Sequence, residues 1–135
     1  MRVDPYVAGW TISGIVIAFM LMDATMKLLA LPIVIETSAS LGFVGENTAR
    51  TLGMLLLICT VLYAVPRTAV LGAILLTGYL GGAVAAHLRV GSPLLTHVLF
   101  GIYVGVLTWG GLWLRDARVR SFVASRRQAP STDGQ

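Results

Sequence analysis

Seven ionisable side chains interrupt otherwise apolar stretches of this 135-residue chain, and their spacing is suited to chemistry. Asp23 and Lys27 stand four residues apart with the acid first, which is the favourable order for an ion pair on one helix. Glu46 and Arg50 repeat that spacing, so the two pairs could form a four-membered network. The remaining three are His87, Arg89 and His97. Ionisable groups inside a membrane are costly unless paired, so all seven are candidates for a ligand or proton site.

Two kinds of chemistry fit these side chains. Neutral histidines could relay protons or contact a polar head group near physiological pH, and Asp23 could be the titrating carboxylate of a proton-coupled carrier. A structural interpretation stays open beside them, because the Asp23–Lys27 pair could simply close one end of a helix bundle. Glu46, Arg50 and His87 could likewise be solvated near the membrane surface.

Four long apolar stretches carry these residues and predict the fold. They run roughly over residues 6–31, 46–65, 68–88 and 94–114. At about 1.5 Å per helical residue, each spans about 30 Å or a little more, the hydrocarbon thickness of a bilayer. Charged residues make up only 12% of the chain, against about 25% in soluble domains. The sequence therefore predicts an all-α integral membrane four-helix bundle, with residues 1–127 as a single domain and residues 128–135 as a disordered tail.

The connections between the spans predict how they are arranged. Pro32 should bend or end the first helix, and residues 33–45 are too few and too polar to span, so they are predicted to lie along the interface. Tight links at residues 64–68 and 90–93 require spans two, three and four to be antiparallel neighbours. All seven candidate residues then fall toward one end of the bundle.

The basic residues predict the orientation. Seven of the ten Lys and Arg side chains fall on the side that carries both termini, and the positive-inside rule places that side in the cytoplasm. Trp10, Trp109 and Trp113 sit near the same ends of the first and fourth spans, where an interfacial aromatic belt is expected. The basic tail from Arg115 to Arg127 is interpreted as a cluster beside anionic lipid rather than as a nucleic-acid site.

Small residues at four-residue spacing predict which helix faces pack. They are Gly14 and Ala18 in the first span, Gly78, Gly82 and Ala86 in the third, and Gly101 and Gly105 in the fourth. Helices in lipid associate through close backbone approach, so these faces are predicted to be contacts within the chain. Tyr79 and Cys59 are interpreted as packing residues. Because Cys59 is the only cysteine, an intramolecular disulfide is impossible.

The motifs of the common soluble enzymes are missing from the sequence. It lacks a Walker loop, a dinucleotide fingerprint, a His-Glu-x-x-His zinc motif and a Gly-x-Ser-x-Gly elbow. Two histidines could in principle ligate haem, but no further haem signature accompanies them, and no metal site is predicted. These observations leave open whether the protein catalyses any reaction.

Three segments of the sequence resemble the DoxX-like family of small bacterial membrane proteins. They are residues 59–91, which include Pro-Arg-Thr-Ala-Val-Leu-Gly and Gly-Gly-Ala-Val-Ala-Ala-His; His-Val-Leu-Phe at 97–100 with residues 107–116; and Asp-Ala-Thr-Met-Lys-Leu at 23–28. The resemblance implies a multi-pass four-helix bundle in the bacterial cytoplasmic membrane. Better-studied relatives are associated with quinone-linked sulfur oxidation and with membrane oxidoreductase complexes that handle oxidative stress.

The resemblance thus implies an accessory or ligand-binding component of a membrane redox or quinone-dependent system, with a quinone as ligand and a membrane oxidoreductase as partner. Lys27, Arg50 and the two histidines could contact the oxygens of a quinone-like head group. Two other functions stay open. One is a small proton-coupled transporter, and the other is a structural or assembly protein with no ligand.

Overall fold

The computed structural model describes residues 2–126, and most of them are helical. The helices are α1 (Pro5–Leu28), α2 (Pro32–Ser40), α3 (Glu46–Ala64), α4 (Ala69–Arg89), α5 (Leu99–Arg115) and α6 (Ala117–Arg126), and a π-helical segment (Leu94–Val98) leads directly into α5. Within the described range the chain forms no β-strand. The predicted disordered tail, residues 128–135, lies outside the described residues.

Four of these helices are long and apolar enough to cross a membrane. They are α1 with 24 residues, α3 with 19, α4 with 21, and the π-helical segment together with α5 with 22. At about 1.5 Å per residue even the shortest approaches 30 Å. The predicted all-α fold with four membrane-spanning helices is therefore confirmed.

Local chemistry explains where the helices begin and end. Asp4 caps α1 by accepting a hydrogen bond from the Tyr6 backbone N–H at 2.9 Å, and Pro5 occupies the first turn, where its missing N–H does no harm. The first helix ends at Leu28, three residues before the predicted end. Ala30 takes a left-handed conformation there (φ 49°), and Pro32 then opens α2. The segment predicted to lie along the interface is thus largely a short helix.

The four long helices form a ring. In the described part of the chain the backbone of α1 lies close to those of α3 and α5, and the backbone of α4 lies close to the same two, whereas the backbones of the diagonal pairs stay apart. Each neighbouring pair is antiparallel. One end of the ring, here called the termini end, carries the start of α1, the link between α3 and α4, and α6. The other, the α2 end, carries α2 and the link between α4 and the π-helical segment.

A glycine lies at a close approach in each of the four neighbouring helix pairs. Between α1 and α5, a Cβ on Gly9 or Gly111 would overlap the facing helix. The same overlap would arise from a Cβ on Gly53 between α1 and α3, on Gly72 between α3 and α4, and on Gly101 between α4 and α5. These contacts let the backbones meet, as expected for helices in lipid.

The predicted packing positions mostly differ from these glycines. A Cβ on Gly14, Gly78 or Gly82 would meet nothing within 4 Å, so the prediction of packing within the chain is wrong at these three positions. Ala18 is exposed as well. Gly101 does lie against Val84, Ala86 is buried, and a Cβ on Gly105 would touch only Leu80, at 4.0 Å. Four-residue spacing defines a stripe on a helix, but it does not say which way the stripe faces.

Candidate functional site

A cavity of about 700 Å³ lies inside the α2 end of the ring, and we call it the main cavity. Pockets that hold small molecules are typically about 300–1,000 Å³ and mostly apolar, with a few placed polar groups. Most residues that line this cavity are apolar. Its ionisable lining residues are Asp23, Lys27, Cys59, Tyr79, His87 and His97.

All four spans and α2 contribute to the walls of the main cavity. The α4 wall runs from Leu75 to His87, which corresponds to about 18 Å along the helix. Gly78 and Gly82 lie on this wall, and the open space beside them is part of the cavity. Val34 and Ser38, both buried, show that α2 folds back over one side. The cavity therefore extends along most of the α2-end half of α4.

Asp23 and Lys27 form an ion pair at the polar end of the main cavity. Lys27 Nζ lies 2.5 Å from Asp23 Oδ2, and the two side chains are 16% and 33% exposed. Lys27 is held in place by α3, because Gly53 leaves room for its Cβ at the helix contact. The paired charges are therefore fixed in position while the carboxylate stays partly accessible from the cavity.

The two histidines come together beside this cavity, with ring centroids 5.4 Å apart. His87 Nδ1 lies 3.0 Å from Ser92 Oγ, and His97 Nδ1 lies 2.7 Å from Thr96 Oγ1. Since Nδ1 is engaged in both rings, Nε2 is the atom left for a ligand. His97 belongs to the π-helical segment, a widened geometry that often occurs at functional sites.

Three of the seven predicted site residues lie outside the main cavity. Glu46 and Arg50 form their own ion pair at 3.2 Å, but both side chains are more than half exposed. Among the described residues no ion pair joins Glu46 and Arg50 to Asp23 and Lys27, so the prediction of a four-membered network is wrong. Arg89 donates through Nη2 to the Leu41 carbonyl at 2.6 Å, which ties the end of α4 to the end of α2.

Sequence reasoning missed three polar side chains that line the main cavity: Thr37, Ser38 and Tyr79. Cys59 also lines it but is 3% exposed within the hydrophobic core, as its interpretation as a packing residue predicted. Tyr79, Ala83 and His87 follow one another at four-residue spacing and all face the cavity. That periodicity could have identified Tyr79 as a residue on the same face as His87. The position of Ser38 depends on how α2 folds back, which no local pattern predicts.

Buried side chains occupy the interior of the ring between the main cavity and the termini end. Tyr63 is fully buried, and its hydroxyl donates to the Thr108 carbonyl at 2.7 Å and lies 3.0 Å from Ser13 Oγ. Ser13 and Thr108 are themselves almost fully buried. This hydrogen-bonded group, the Tyr63 cluster, joins α1, α3 and α5 and fills the ring on the termini side of the main cavity.

Arg115 is buried at the same end, although the sequence marked it as a surface residue. Its Nη2 donates to the Tyr63 carbonyl at 2.6 Å. The guanidinium carbon lies 4.5 Å from the centroid of the Trp10 ring and 4.7 Å from that of Tyr63, which are cation–π distances. Gly9 permits this arrangement, because a Cβ there would collide with the backbone of Leu114 and Arg115.

The fold and the cavity together define the class of this protein: a multi-pass helical membrane protein with an internal cavity among its spans. The chain belongs to the DoxX-like family, whose family model matches residues 11–111. This match confirms the resemblance seen in the sequence. The matched range includes every residue that lines the main cavity, from Phe19 to Gly101, and ends four residues before Arg115. No curated protein and no solved structure matches the chain.

Proposed function

We propose that this protein binds a lipid-soluble amphiphile in the main cavity, with the polar head beside Asp23, Lys27 and the two histidines and the apolar part along α4. The single observation that carries the proposal is the shape of the cavity: an ion pair and two histidines at one end of a mostly apolar space about 18 Å long. A quinone-like molecule has this division into a polar head and an apolar tail, and the family resemblance favours that class.

The polar end offers the groups that a quinone head would need. Lys27 Nζ is a donor for a carbonyl oxygen, and Asp23 is an acceptor for a hydroxyl of the reduced form. A neutral histidine Nε2 can act as either, depending on its tautomer. We infer that binding and orientation of the head group are the tasks of these residues, in an accessory component of a membrane redox system with an oxidoreductase partner.

Access from the bilayer supports a lipid-soluble ligand. Phe19, Leu55, Leu75 and Phe100 line the main cavity, and each of them is 36–50% exposed. Phe19 and Phe100 also contact each other edge to face, with centroids 5.3 Å apart. Apolar surface of this kind faces lipid in a membrane, so a hydrophobic tail could lie partly outside the ring.

We place the termini end in the cytoplasm of a bacterium, with the polar end of the main cavity toward the outer side of the inner membrane. The excess of Lys and Arg on the termini side supports this orientation through the positive-inside rule.

A small proton-coupled transporter is the second candidate, because Asp23 is a partly exposed carboxylate inside a membrane-spanning helix. Transport requires a path to the other side of the membrane. The buried Tyr63 cluster occupies that path in this conformation, which favours binding from one side over transport.

Equilibrium binding of decylubiquinone to the full-length protein in nanodiscs tests the proposal. We expect Asp23→Asn to weaken binding by about tenfold or more, because hydrogen bonds to charged groups are worth about 1.5–3 kcal/mol. Glu46→Gln is the matched control, since that acid forms the same type of ion pair outside the cavity. Binding that is equal in wild type, Asp23→Asn and Glu46→Gln would contradict the proposal.

A second pair of variants tests the cavity itself. Gly78→Leu should fill the α4 wall and abolish binding with the helix content unchanged, whereas Gly14→Leu, on open surface outside the cavity, should bind as wild type does. With the same variants reconstituted in vesicles, proton-dependent flux that Asp23→Asn abolishes would favour the transporter instead.

A further inference from the structure

A second cavity, of about 220 Å³, lies at the termini end, and we call it the Arg115 pocket. Its lining includes Tyr6, Trp10, Arg115, Asp116 and Arg118, and it shares no lining residue with the main cavity. Its volume is several times the roughly 30 Å³ that a water molecule occupies in the liquid. The pocket can therefore hold a small polyatomic group.

Arg115 is the unusual residue of this pocket. The residue is only 7% exposed, and its Nη2 donates to the Tyr63 carbonyl. Its Nε and Nη1 are buried and have no hydrogen-bond partner. Trp10 and Tyr63 contact the guanidinium through their rings, which stabilises the charge without supplying an acceptor oxygen. Buried charged donors without acceptors are costly, so these two nitrogens point to a missing partner.

The neighbouring carboxylate does not supply that partner. Asp116 accepts hydrogen bonds from Arg118, at 2.9 Å from the backbone N–H and 3.4 Å from the side-chain Nε. Burial raises the pKa of Asp116, but the hydrogen bonds and charge of Arg118 outweigh it and hold the pKa below its ordinary value. Asp116 is therefore paired with Arg118. In this part of the described chain, no ion pair balances the positive charge of Arg115.

We propose that the Arg115 pocket binds a phosphate-type oxyanion, supplied by the head group of an anionic phospholipid. The oxyanion would accept hydrogen bonds from Arg115 Nε and Nη1 and balance its charge. The pocket lies where α1 begins and α5 ends, beside the rings of Tyr6 and Trp10. Aromatic side chains at the ends of spans lie at head-group level, so a lipid phosphate is closer to the pocket than a soluble one.

Thermal unfolding of the full-length protein in neutral detergent tests this site. Phosphatidylglycerol, phosphatidylcholine and inorganic phosphate are titrated separately, and each midpoint is compared with that of the same variant without additive. We expect phosphatidylglycerol to raise the wild-type midpoint, and Arg115→Gln to weaken its apparent affinity by about tenfold or more. Arg67→Gln is the matched control, because it removes one exposed positive charge at the same end without touching the pocket.

The additives distinguish the sources of the phosphate group. A shift with phosphatidylglycerol alone supports the lipid head group, and an equal shift with inorganic phosphate assigns the site to a soluble anion and overturns the lipid part of the proposal. If Arg115→Gln and Arg67→Gln respond alike, or if the two lipids act alike in wild type, Arg115 is a structural residue and the site does not exist.

A direct measurement on the wild type covers the case in which Arg115→Gln fails to fold. The Nε–H resonance of Arg115 in a nitrogen-15 correlation spectrum should shift on titration with phosphatidylglycerol and stay in place with phosphatidylcholine. A resonance that neither lipid moves would overturn the proposal without the use of any variant.

Discussion

At the scale of single residues, burial and surroundings decide what a charged side chain can do. Asp23–Lys27 and Glu46–Arg50 have the same residue order and spacing, and both form ion pairs. Only the first pair lines the main cavity. The second is exposed, where such a pair contributes about 0–1 kcal/mol. Two pairs that are equivalent in the sequence thus have different roles in the fold.

Tyr63 provides a residue-scale prediction about stability. Tyr63→Phe removes the hydroxyl that bonds the Thr108 carbonyl and Ser13 Oγ, and leaves both buried groups short of a partner. We expect a loss of about 1–3 kcal/mol in the free energy of unfolding, measured by denaturant unfolding in detergent.

Tyr103→Phe is the control for this experiment, because Tyr103 is 52% exposed. Its effect should stay within about 0.5 kcal/mol. If the two substitutions lower stability equally, the Tyr63 cluster does not hold α1, α3 and α5 together.

At the scale of helices, single glycines set where neighbouring spans meet. Gly72 of α4 lies so close to Tyr63 of α3 that an added Cβ would overlap the backbone, and Gly53 of α3 lies in the same way against Lys27 and Ala24 of α1. Gly78, six residues after Gly72 on the same helix, has open space beside it. Gly72 and Gly78 belong to the same helix, and the difference between them lies in what faces each one in the fold.

This contrast predicts opposite effects of one substitution at two positions of α4. Gly72→Ala should destabilise the protein by about 1–3 kcal/mol, since the added methyl group forces α3 and α4 apart. Gly78→Ala should be neutral or stabilising by up to about 1 kcal/mol, because alanine is the better helix former and the methyl group enters empty space.

Thermal unfolding in detergent measures both variants against the wild type. A larger loss of stability in Gly78→Ala than in Gly72→Ala would show that the open α4 wall is in fact a packed helix contact, in this chain or with another copy.

At the scale of the whole molecule, the ring has two unlike halves. The termini end holds the buried Tyr63 cluster and the smaller Arg115 pocket, whereas the α2 end holds the main cavity. The two cavities lie at opposite ends of the ring, so a lipid-soluble ligand and a lipid head group could be bound independently.

The proposed orientation is a prediction at this scale. In a Cys59→Ala background, Val44→Cys at the α2 end should react with a membrane-impermeant maleimide added to intact cells, because Val44 is 73% exposed. Arg67→Cys at the termini end should react only after the membrane is permeabilised, since the positive-inside rule places that end in the cytoplasm. The reverse labelling pattern would show that the orientation is inverted.

The sequence by itself determined the features of this protein that depend on local interactions. Span length and apolar composition predict four membrane-spanning helices, prolines stand at or within a few residues of half of their ends, and four-residue spacing predicts both ion pairs. Each of these depends on residues within a few positions of one another, so each can be deduced without the fold.

Long-range packing decided the rest. Only the tertiary structure shows that His87 meets His97, that α2 closes one side of the main cavity, and that Gly72 rather than Gly78 lies at a helix contact. It also buries Arg115 between Trp10 and Tyr63, although its sequence position is typical of a surface arginine. In a chain that is apolar on every face, periodicity cannot tell a lipid-facing stripe from an inward-facing one, and only the packing of the other helices can.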